Sequence, residues 1–133
     1  MPQPQQRDFR REENPPLVPK DEIEKIIKGD TRLLVQKADF LGKHFRNSLS
    51  TSQIRNVFGN VKRMEQKGFE KSKKEFLLLK PKLAYSAGRE PRLRDLEKVL
   101  TNAIDSVGNS ESFENFCKFF EAILCYHRFY GGK

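Results

Sequence analysis

The sequence has 133 residues, of which 36% are hydrophobic and 33% are charged, and this length suits one domain with one hydrophobic core. No stretch approaches the ~18 apolar residues of a membrane span, and residues 1–13 lack the apolar region of a secretory signal peptide. Two cysteines are too few for a disulfide framework, so we expect a soluble protein of a reducing, cytoplasmic compartment.

The positive charge is concentrated in the middle of the chain. The formal net charge is +8, and residues 43–98 hold 15 Lys and Arg against six Asp and Glu. The flanking segments are nearly neutral, with eight charges of each sign over residues 1–42 and three positive against four negative over residues 99–133. A charge needed only for solubility would be spread out, so this block favours a surface that binds a polyanion such as nucleic acid.

Residues 1–20 are rich in proline and glutamine. Five of the seven prolines lie within residues 1–19. Because proline fixes φ and removes a backbone donor, we predict a disordered tail over residues 1–20. The folded, RNA-binding helical domain is predicted to cover residues 21–133.

Helix signals begin directly after this tail. Asp21 is the predicted N-cap of a short helix that Gly29 ends, and Asp30 is the predicted cap of the next helix. Residues 50–53 read Ser-Thr-Ser-Gln, a capping-box pattern in which the serine hydroxyl and the glutamine side chain each satisfy a free backbone N–H. The helix that follows carries an apolar stripe and weakens at Gly68.

Two prolines divide the second half of the basic block. Residues 70–79 continue the helical pattern, and Pro81 is placed to start a short helix that runs to Gly88, because proline suits the first turn. Pro91 opens a further helix, whose apolar residues recur at spacings of three and four as far as Gly108.

Ser110 is the predicted cap of the last and most apolar helix. Apolar residues cover nearly its whole circumference, which is typical of a helix that is central or lies at a subunit interface. Four aromatics exceed what one bundle face needs and are predicted subunit contacts: Phe119, Tyr126, Phe129 and Tyr130. No segment shows the period-2 alternation of a strand, so we predict an all-α fold, a compact bundle of five to six short helices.

The sequence offers no catalytic or metal-binding constellation. Its two histidines are His44 and His127, and His127 falls on the apolar stripe of the last helix, where a packed histidine is expected. Cys125 lies two positions away and therefore on a different face, so the pair is no nucleophile–base dyad. Two cysteines and one distant histidine do not make a zinc site, and no glycine-rich phosphate loop is present. We expect no enzyme activity, metal or cofactor.

Basic residues of the central block are the candidate phosphate contacts. They are Arg55, Lys62, Lys80, Lys82 and Arg89. The first two lie seven positions apart on one helix face, and the next two flank Pro81 at a break between apolar segments. Lys71, Lys73 and Lys74 fit a solvated surface better, and Tyr85 fits a half-buried core position better than base stacking. Without an aromatic sheet motif, a GXXG clamp or a zinc knuckle, binding is expected to follow the RNA backbone, independently of base sequence.

Three segments carry a resemblance to a known family. LSTSQIRNVFGNVKRM, FLLLKPKLAYSAGR and FFEAILCYHRFYGGK resemble the small subunit of type III-A CRISPR–Cas (Csm) effector complexes. The second segment, in which a leucine run passes into Lys-Pro-Lys-Leu-Ala-Tyr, is the most specific. The resemblance covers about residues 30–133 and leaves the proline-rich tail outside.

The resemblance implies a helical bundle present in several copies that stack as the inner filament of the complex. It implies as partners the target RNA, the duplex of that RNA with the guide RNA, and the other subunits, which hold the catalytic activities. Carried onto this sequence, the RNA-binding positions are Arg55, Lys80, Lys82 and Arg89. Lys62 joins them by helical geometry alone, and Arg128 is a weaker candidate beside the C-terminal aromatics.

Two other functions remain open. A structural adaptor would dock the aromatic C-terminal helix on protein partners without touching RNA, but it has no need of the basic block. A protein of anionic membrane surfaces would carry Lys and Arg opposite an apolar face. The most aromatic helix instead carries three acidic residues: Glu111, Glu114 and Glu121.

Overall fold

The computed structural model describes residues 15–133, and within them the chain forms seven α-helices and one 3₁₀ turn. The helices are α1 (Lys20–Lys28), α2 (Thr31–Phe45), α3 (Thr51–Lys67), α4 (Phe69–Leu77), α5 (Leu79–Arg89), α6 (Arg94–Asp105) and α7 (Ser110–Phe129), and the 3₁₀ turn is Pro91–Leu93. A single residue, Leu78, separates α4 from α5. If these two are counted as one helix, the bundle has six helices. The described residues contain no strand, so the predicted all-α bundle is confirmed.

Several helix ends follow the predicted capping chemistry. The Asp30 carboxylate accepts a hydrogen bond from the Leu33 N–H at 3.0 Å and caps α2. At the start of α3, the Ser50 hydroxyl accepts from the Gln53 N–H at 3.1 Å, and the Gln53 side chain accepts from the Ser50 N–H at 2.8 Å. Gly29 ends α1 with a φ of 125°, which residues with a side chain rarely adopt. These three predictions are confirmed.

Two predicted helix starts were wrong, that of α1 by two residues and that of α7 by one. α1 begins at Lys20 and has no side-chain cap, so Asp21 lies inside the helix rather than capping it. α7 is capped by Asn109 instead of Ser110, because Asn109 has a serine three positions ahead to complete the reciprocal pair. The Asn109 side chain accepts from the Ser112 N–H at 2.8 Å, and the Ser112 hydroxyl accepts from the Asn109 N–H at 3.0 Å.

The prolines lie close to helix starts, although not where the pattern placed them. α5 begins at Leu79, so Pro81 occupies its first turn, where a missing N–H costs no helical hydrogen bond. Pro91 was predicted to open an α-helix, but it starts the 3₁₀ turn that precedes α6. α6 then ends at Asp105, three residues before the predicted stop at Gly108.

The folded region begins earlier than predicted. The predicted disordered tail covers residues 1–20, of which residues 1–14 lie outside the described part of the chain. Within the remainder, the Val18 side chain is fully buried and Leu17 packs against the core. These apolar contacts show that Leu17 and Val18, which lie within the predicted tail, pack against the core.

α7 is the central helix of the bundle and packs against α1, α2, α3 and α4. Its buried apolar residues are Phe113, Phe116, Cys117, Phe119, Phe120 and Ile123. Phe76 of α4 lies edge-on to Phe113 and to Phe116, with ring centroids 5.1 Å away in both cases, which is a preferred geometry for aromatic pairs. Neighbours on several sides within one chain therefore cover the apolar circumference of α7. None of the described helices combines the length and the hydropathy needed to cross a membrane.

α2 and α7 cross at close range at Gly42. This glycine is buried, and a Cβ built on it would lie 2.5 Å from the Tyr126 Cβ and 2.7 Å from the His127 backbone nitrogen. Such distances are shorter than any van der Waals contact, so a side chain here would force the two helices apart. Glycine is therefore required by the packing, not by the backbone conformation of α2.

The C-terminal segment is fastened to the start of α3. His127 is fully buried, and its Nε2 lies 2.7 Å from the Leu49 carbonyl oxygen, which can only accept, so Nε2 carries the proton. Gly132 packs on the imidazole too closely for a Cβ, and its carbonyl accepts from the Thr51 hydroxyl at 3.4 Å. The histidine that the sequence predicted to be packed thus joins the loop after α2 to the last residues of the chain.

Replacing Gly42 with alanine is expected to destabilise the fold by about 1–3 kcal/mol, because the new methyl group overlaps the backbone of α7. Urea denaturation followed by circular dichroism measures the change. The matched control is Gly59→Ala, since Gly59 also lies inside a helix but a Cβ there meets nothing within 4 Å. We expect the control to be neutral or to stabilise by up to ~1 kcal/mol, because alanine is the better helix former. Equal stability of the two variants would contradict the close crossing.

The two cysteines are expected to differ in reactivity. Cys117 is buried, and the loss of solvation raises the pKa of its thiol to about 12, with the Glu65 carboxylate adding to the rise. Cys125 is exposed. Ellman's reagent should therefore modify one thiol of the native protein and both thiols of the unfolded chain. The Cys125→Ser variant should be unreactive while folded, and rapid labelling of that variant would mean that Cys117 is accessible.

Candidate nucleic-acid interface

An open groove of about 460 Å³ lies between α3 and α5. α3 lines it with Asn56, Val57 and Asn60, and α5 contributes Lys82 and Tyr85 among others. The groove therefore combines apolar contact area, amide hydrogen-bonding groups, an aromatic ring and a positive charge. This combination suits an RNA strand, whose bases stack on aromatic rings and whose phosphates attract cations.

The two asparagines of the groove are not among the residues that the sequence indicated. Asn56 and Asn60 lie four positions apart, so their side chains share one flank of α3. The Asn60 amide oxygen also accepts a hydrogen bond from Arg63. Their spacing beside the apolar stripe was visible in the sequence. That this flank faces α5 depends on tertiary packing, which the spacing alone does not reveal.

Tyr85 is exposed, contrary to the prediction of a half-buried core position. Its exposed fraction is 67%, because Leu83 and Ala87 are the α5 residues that turn towards the core and Tyr85 lies between them on the opposite side. The Arg89 guanidinium carbon lies 5.7 Å from the centre of the Tyr85 ring. An exposed ring with a neighbouring guanidinium is available for stacking against a planar partner.

The two lysines that flank Pro81 have different surroundings. Lys80 is partly buried, and its Nζ lies 2.6 Å from an Asp105 carboxylate oxygen of α6. Lys82 lines the groove, is exposed, and makes no ion pair with any described residue. Because both sit in one helix, two positions separate them by more than half a turn. Lys80 therefore links α5 to α6, whereas the charge of Lys82 faces solvent.

Arg55 and Lys62 lie on the other flank of α3. The 3.6-residue repeat places them across the buried Ile54–Val61 stripe from Asn56 and Asn60. Both are exposed, and the Lys62 Nζ is 3.5 Å from a Glu65 carboxylate oxygen. Arg55 makes no ion pair or hydrogen bond with the described residues through its side chain. The predicted set is thus divided between two sides of α3 and does not form one patch.

The remaining basic candidates lie away from the groove. The Arg128 guanidinium donates to the Gly132 carbonyl at 3.0 Å and so belongs to the turn that ends the chain. In the lysine cluster of α4, the Lys73 Nζ is 3.0 Å from a Glu70 carboxylate oxygen. Lys71 and Lys74 are exposed and make no such pair within residues 15–133.

The four aromatics that were predicted to contact another subunit differ in their exposure to solvent. Phe119 is fully buried in the core of its own chain, so its assignment to a subunit contact was wrong. The Tyr130 hydroxyl donates to the Asp39 carboxylate, which raises the pKa of the phenol, and its ring stacks on Tyr126 with centroids 6.4 Å apart. Phe129 is 75% exposed and is the aromatic most available to another molecule.

No group of three or more His, Cys, Asp and Glu side chains within residues 15–133 is arranged to hold a metal ion. The two histidines have different environments, since His127 is buried against the Leu49 carbonyl and His44 is exposed beside the Phe40 and Phe45 rings. The residues that line the groove offer contact through a positive charge, amide groups and an aromatic ring.

Comparison with known proteins identifies the family. A sequence model of the family described as Csm2 Type III-A matches residues 28–133. A Streptococcus thermophilus protein named CRISPR system Cms protein Csm2 is 33% identical over 114 residues, covering 81% of this chain and 92% of that protein. A protein of the same name from Enterococcus italicus is 32% identical over 97 residues, covering 63% and 69%. No solved structure matches the chain.

Proposed function

The chain belongs to the Csm2 family, the small subunit of type III-A CRISPR complexes, and we propose that it holds the backbone of the target RNA paired with the guide RNA without cleaving either strand. The observation that carries this proposal is a set of exposed cations on α3 and α5 whose side chains make neither an ion pair nor a hydrogen bond with the described residues. They are Arg55, Lys82 and Arg89.

Unpaired cations are the groups that bind a polyanion most favourably. A lysine already paired with a carboxylate, as Lys80 is with Asp105, must exchange one partner for another when a phosphate approaches. A free arginine or lysine releases the counterions of the phosphate that it neutralises and breaks no ion pair of the protein. The RNA contact is therefore assigned first to Arg55, Lys82 and Arg89, with Lys62 in a secondary role because of its contact with Glu65.

Sequence selectivity has to come from outside this chain. Backbone contacts place a protein on a nucleic acid but do not read its bases. In an RNA-guided complex, base pairing between guide and target supplies that reading, and the protein recognises the duplex through its shape and charge. A helical bundle with free cations and no base-recognition module fits this division of labour.

The subunit is also proposed to contact further copies of itself and other subunits of the complex, as part of an inner filament. Phe129 supports this, because a phenylalanine with 75% of its surface exposed gains hydrophobic stabilisation when another subunit covers it. Its neighbours Tyr126 and Tyr130 are held in place by contacts within the chain and would extend the same surface.

The RNA contact predicts that Arg55→Ala, Lys82→Ala and Arg89→Ala together weaken target-RNA capture by the assembled complex. Loss of three phosphate contacts should lower the slope of log affinity against log salt by about 2–3, because each contributes about 0.7–0.9. Filter binding at several salt concentrations measures both effects. The matched control changes three exposed lysines that lie on α4 and α7 instead of α3 and α5, namely Lys71→Ala, Lys74→Ala and Lys118→Ala.

An equal loss in both triple variants would show that total charge, not the proposed site, governs capture. Unchanged affinity and salt dependence in the first variant, with helicity intact, would contradict RNA binding by these residues and would favour the structural adaptor.

The self-association proposal predicts that Phe129→Ser lowers the number of small subunits per complex, because it removes the exposed apolar contact. Native mass spectrometry of the purified complex counts the copies. Leu77→Ser is the control, since Leu77 is 60% exposed on α4. A Phe129→Ser complex with the full complement of small subunits would refute a role for this aromatic in assembly.

A further inference from the structure

A hollow of about 320 Å³ lies at the N-terminal end of α3. The loop after α2, the first turn of α3, the 3₁₀ turn and the C-terminal segment meet around it. The loop after α2, the 3₁₀ turn and the C-terminal segment contribute one cation each: Arg46, Arg92 and Lys133. The fold thus brings together three basic residues that lie more than 40 positions apart in the sequence, none of which the sequence pattern had indicated.

The hollow is positively charged, and hydrogen-bond donors line it. None of its lining residues is acidic, and Asn47, Ser48 and Gln53 add amide and hydroxyl groups. The Arg46 guanidinium donates once, to the Lys43 carbonyl at 3.1 Å, which leaves most of its N–H groups free. The Arg92 Nε lies 3.6 Å from a Glu90 carboxylate oxygen. The Glu90 carboxylate offsets part of the Arg92 charge, and the cations around the concavity still attract an anion.

The end of helix α3 is not the source of this charge. Its capping box is complete, because Ser50 and Gln53 bond each other's backbone N–H groups at 3.1 and 2.8 Å. The positive charge of the hollow comes from the side chains of Arg46, Arg92 and Lys133. A fork-shaped guanidinium can bind two oxygens of one phosphate, which an ammonium group binds only as a point charge.

The position of Lys133 is set by the contacts of the residue before it. The Gly132 N–H donates to the His127 carbonyl at 2.8 Å, and the Gly132 carbonyl accepts from both Thr51 and Arg128. Gly131, with a φ of 93°, makes the turn that brings the chain back. The segment that carries Lys133 is therefore packed against α3 and delivers the charge to this place.

The hollow and the groove lie on the same flank of α3. Gln53 lines the hollow, Asn56 and Val57 line the groove one turn further on, and Asn60 follows after another turn. Spacings of three, four and seven positions keep these side chains in line, and the seven residues from Gln53 to Asn60 span about 10 Å. An extended strand that follows the groove therefore reaches the hollow without crossing the ridge of α3.

We propose that this hollow binds a phosphodiester of the RNA strand whose backbone follows the α3–α5 groove, a contact that rests on the function proposed above. Arg46 and Arg92 hold the phosphate oxygens through their guanidinium groups, and Lys133 adds its charge. The hollow is a second phosphate site, about one helical turn of α3 from the groove, and it uses residues outside the central Lys82–Arg89 segment.

The test is the variant Arg46→Gln, Arg92→Gln and Lys133→Gln in the full chain, assembled into the complex. Target-RNA affinity is expected to fall at least ~10-fold at moderate salt, and the salt slope is expected to drop by about 2–3. The charge-matched control is Lys71→Gln, Lys74→Gln and Lys118→Gln, which should leave both quantities nearly unchanged. If the triple variant does not fold, the single variant Arg92→Gln is measured instead, because this side chain is exposed. It should lower the slope of log affinity against log salt by about one.

A second readout identifies the ligand. In spectra of the isolated, ¹⁵N-labelled chain, a short RNA oligonucleotide should shift the Gln53 and Gly131 amide signals at concentrations far below those at which inorganic phosphate does so. Shifts by inorganic phosphate alone would assign the hollow to small anions and overturn the RNA proposal.

The outcomes separate this inference from the function on which it rests. If the Arg55, Lys82 and Arg89 variant loses RNA capture while the hollow variant keeps it, the hollow is no RNA site and the proposed function stands. If neither variant loses capture, both proposals fail. If both lose capture and the lysine control does not, both are supported.

Discussion

The architecture depends on the contact of Gly42 with the backbone of α7. Because glycine has no side chain, α2 and α7 approach more closely than any other residue at this position would allow. The crossing carries His127 to the Leu49 carbonyl and lets Gly132 pack on the imidazole ring. The last residues of the chain are thereby held against the start of α3. The hollow at the start of α3 depends on this crossing, because Gly131 and Lys133 of the C-terminal segment line it.

The bundle divides its many cations into two groups. Some join helices or turns, as Lys67 of α3 does with Glu75 of α4 at 3.1 Å, and Lys80 of α5 with Asp105 of α6 at 2.6 Å. Exposed pairs of this kind contribute only ~0–1 kcal/mol each, so their number says little about stability. Their consequence is electrostatic, because each pair cancels a charge locally. The excess of positive charge that remains lies on residues such as Arg55 and Lys82, which have no carboxylate partner among the described residues.

Local chemistry explains which features were predictable from the sequence. The caps at Asp30 and Ser50 involve residues three positions apart, and such hydrogen bonds form from local geometry. The pairing of Lys80 with Asp105 joins residues 25 positions apart, and only the packing of α5 on α6 determines it. The exposure of Tyr85 follows likewise from which face of α5 meets the core. The sequence therefore indicated the helices and the family, but it could not distinguish paired cations from free ones.

Under the proposed function, the cations spread along the helices and the cations gathered in the hollow contribute differently to recognition of the RNA backbone. Arg55 and Lys82 can follow a phosphate over several ångströms, so they add affinity without demanding one position of the strand. The hollow at the start of α3 is different, because backbone contacts of Gly132 determine where Lys133 lies. Under the proposed function, the hollow sets the register of the bundle on the strand while the flexible cations supply most of the salt-dependent affinity. In the proposed inner filament each copy would need both, since affinity alone would allow it to slide along the duplex.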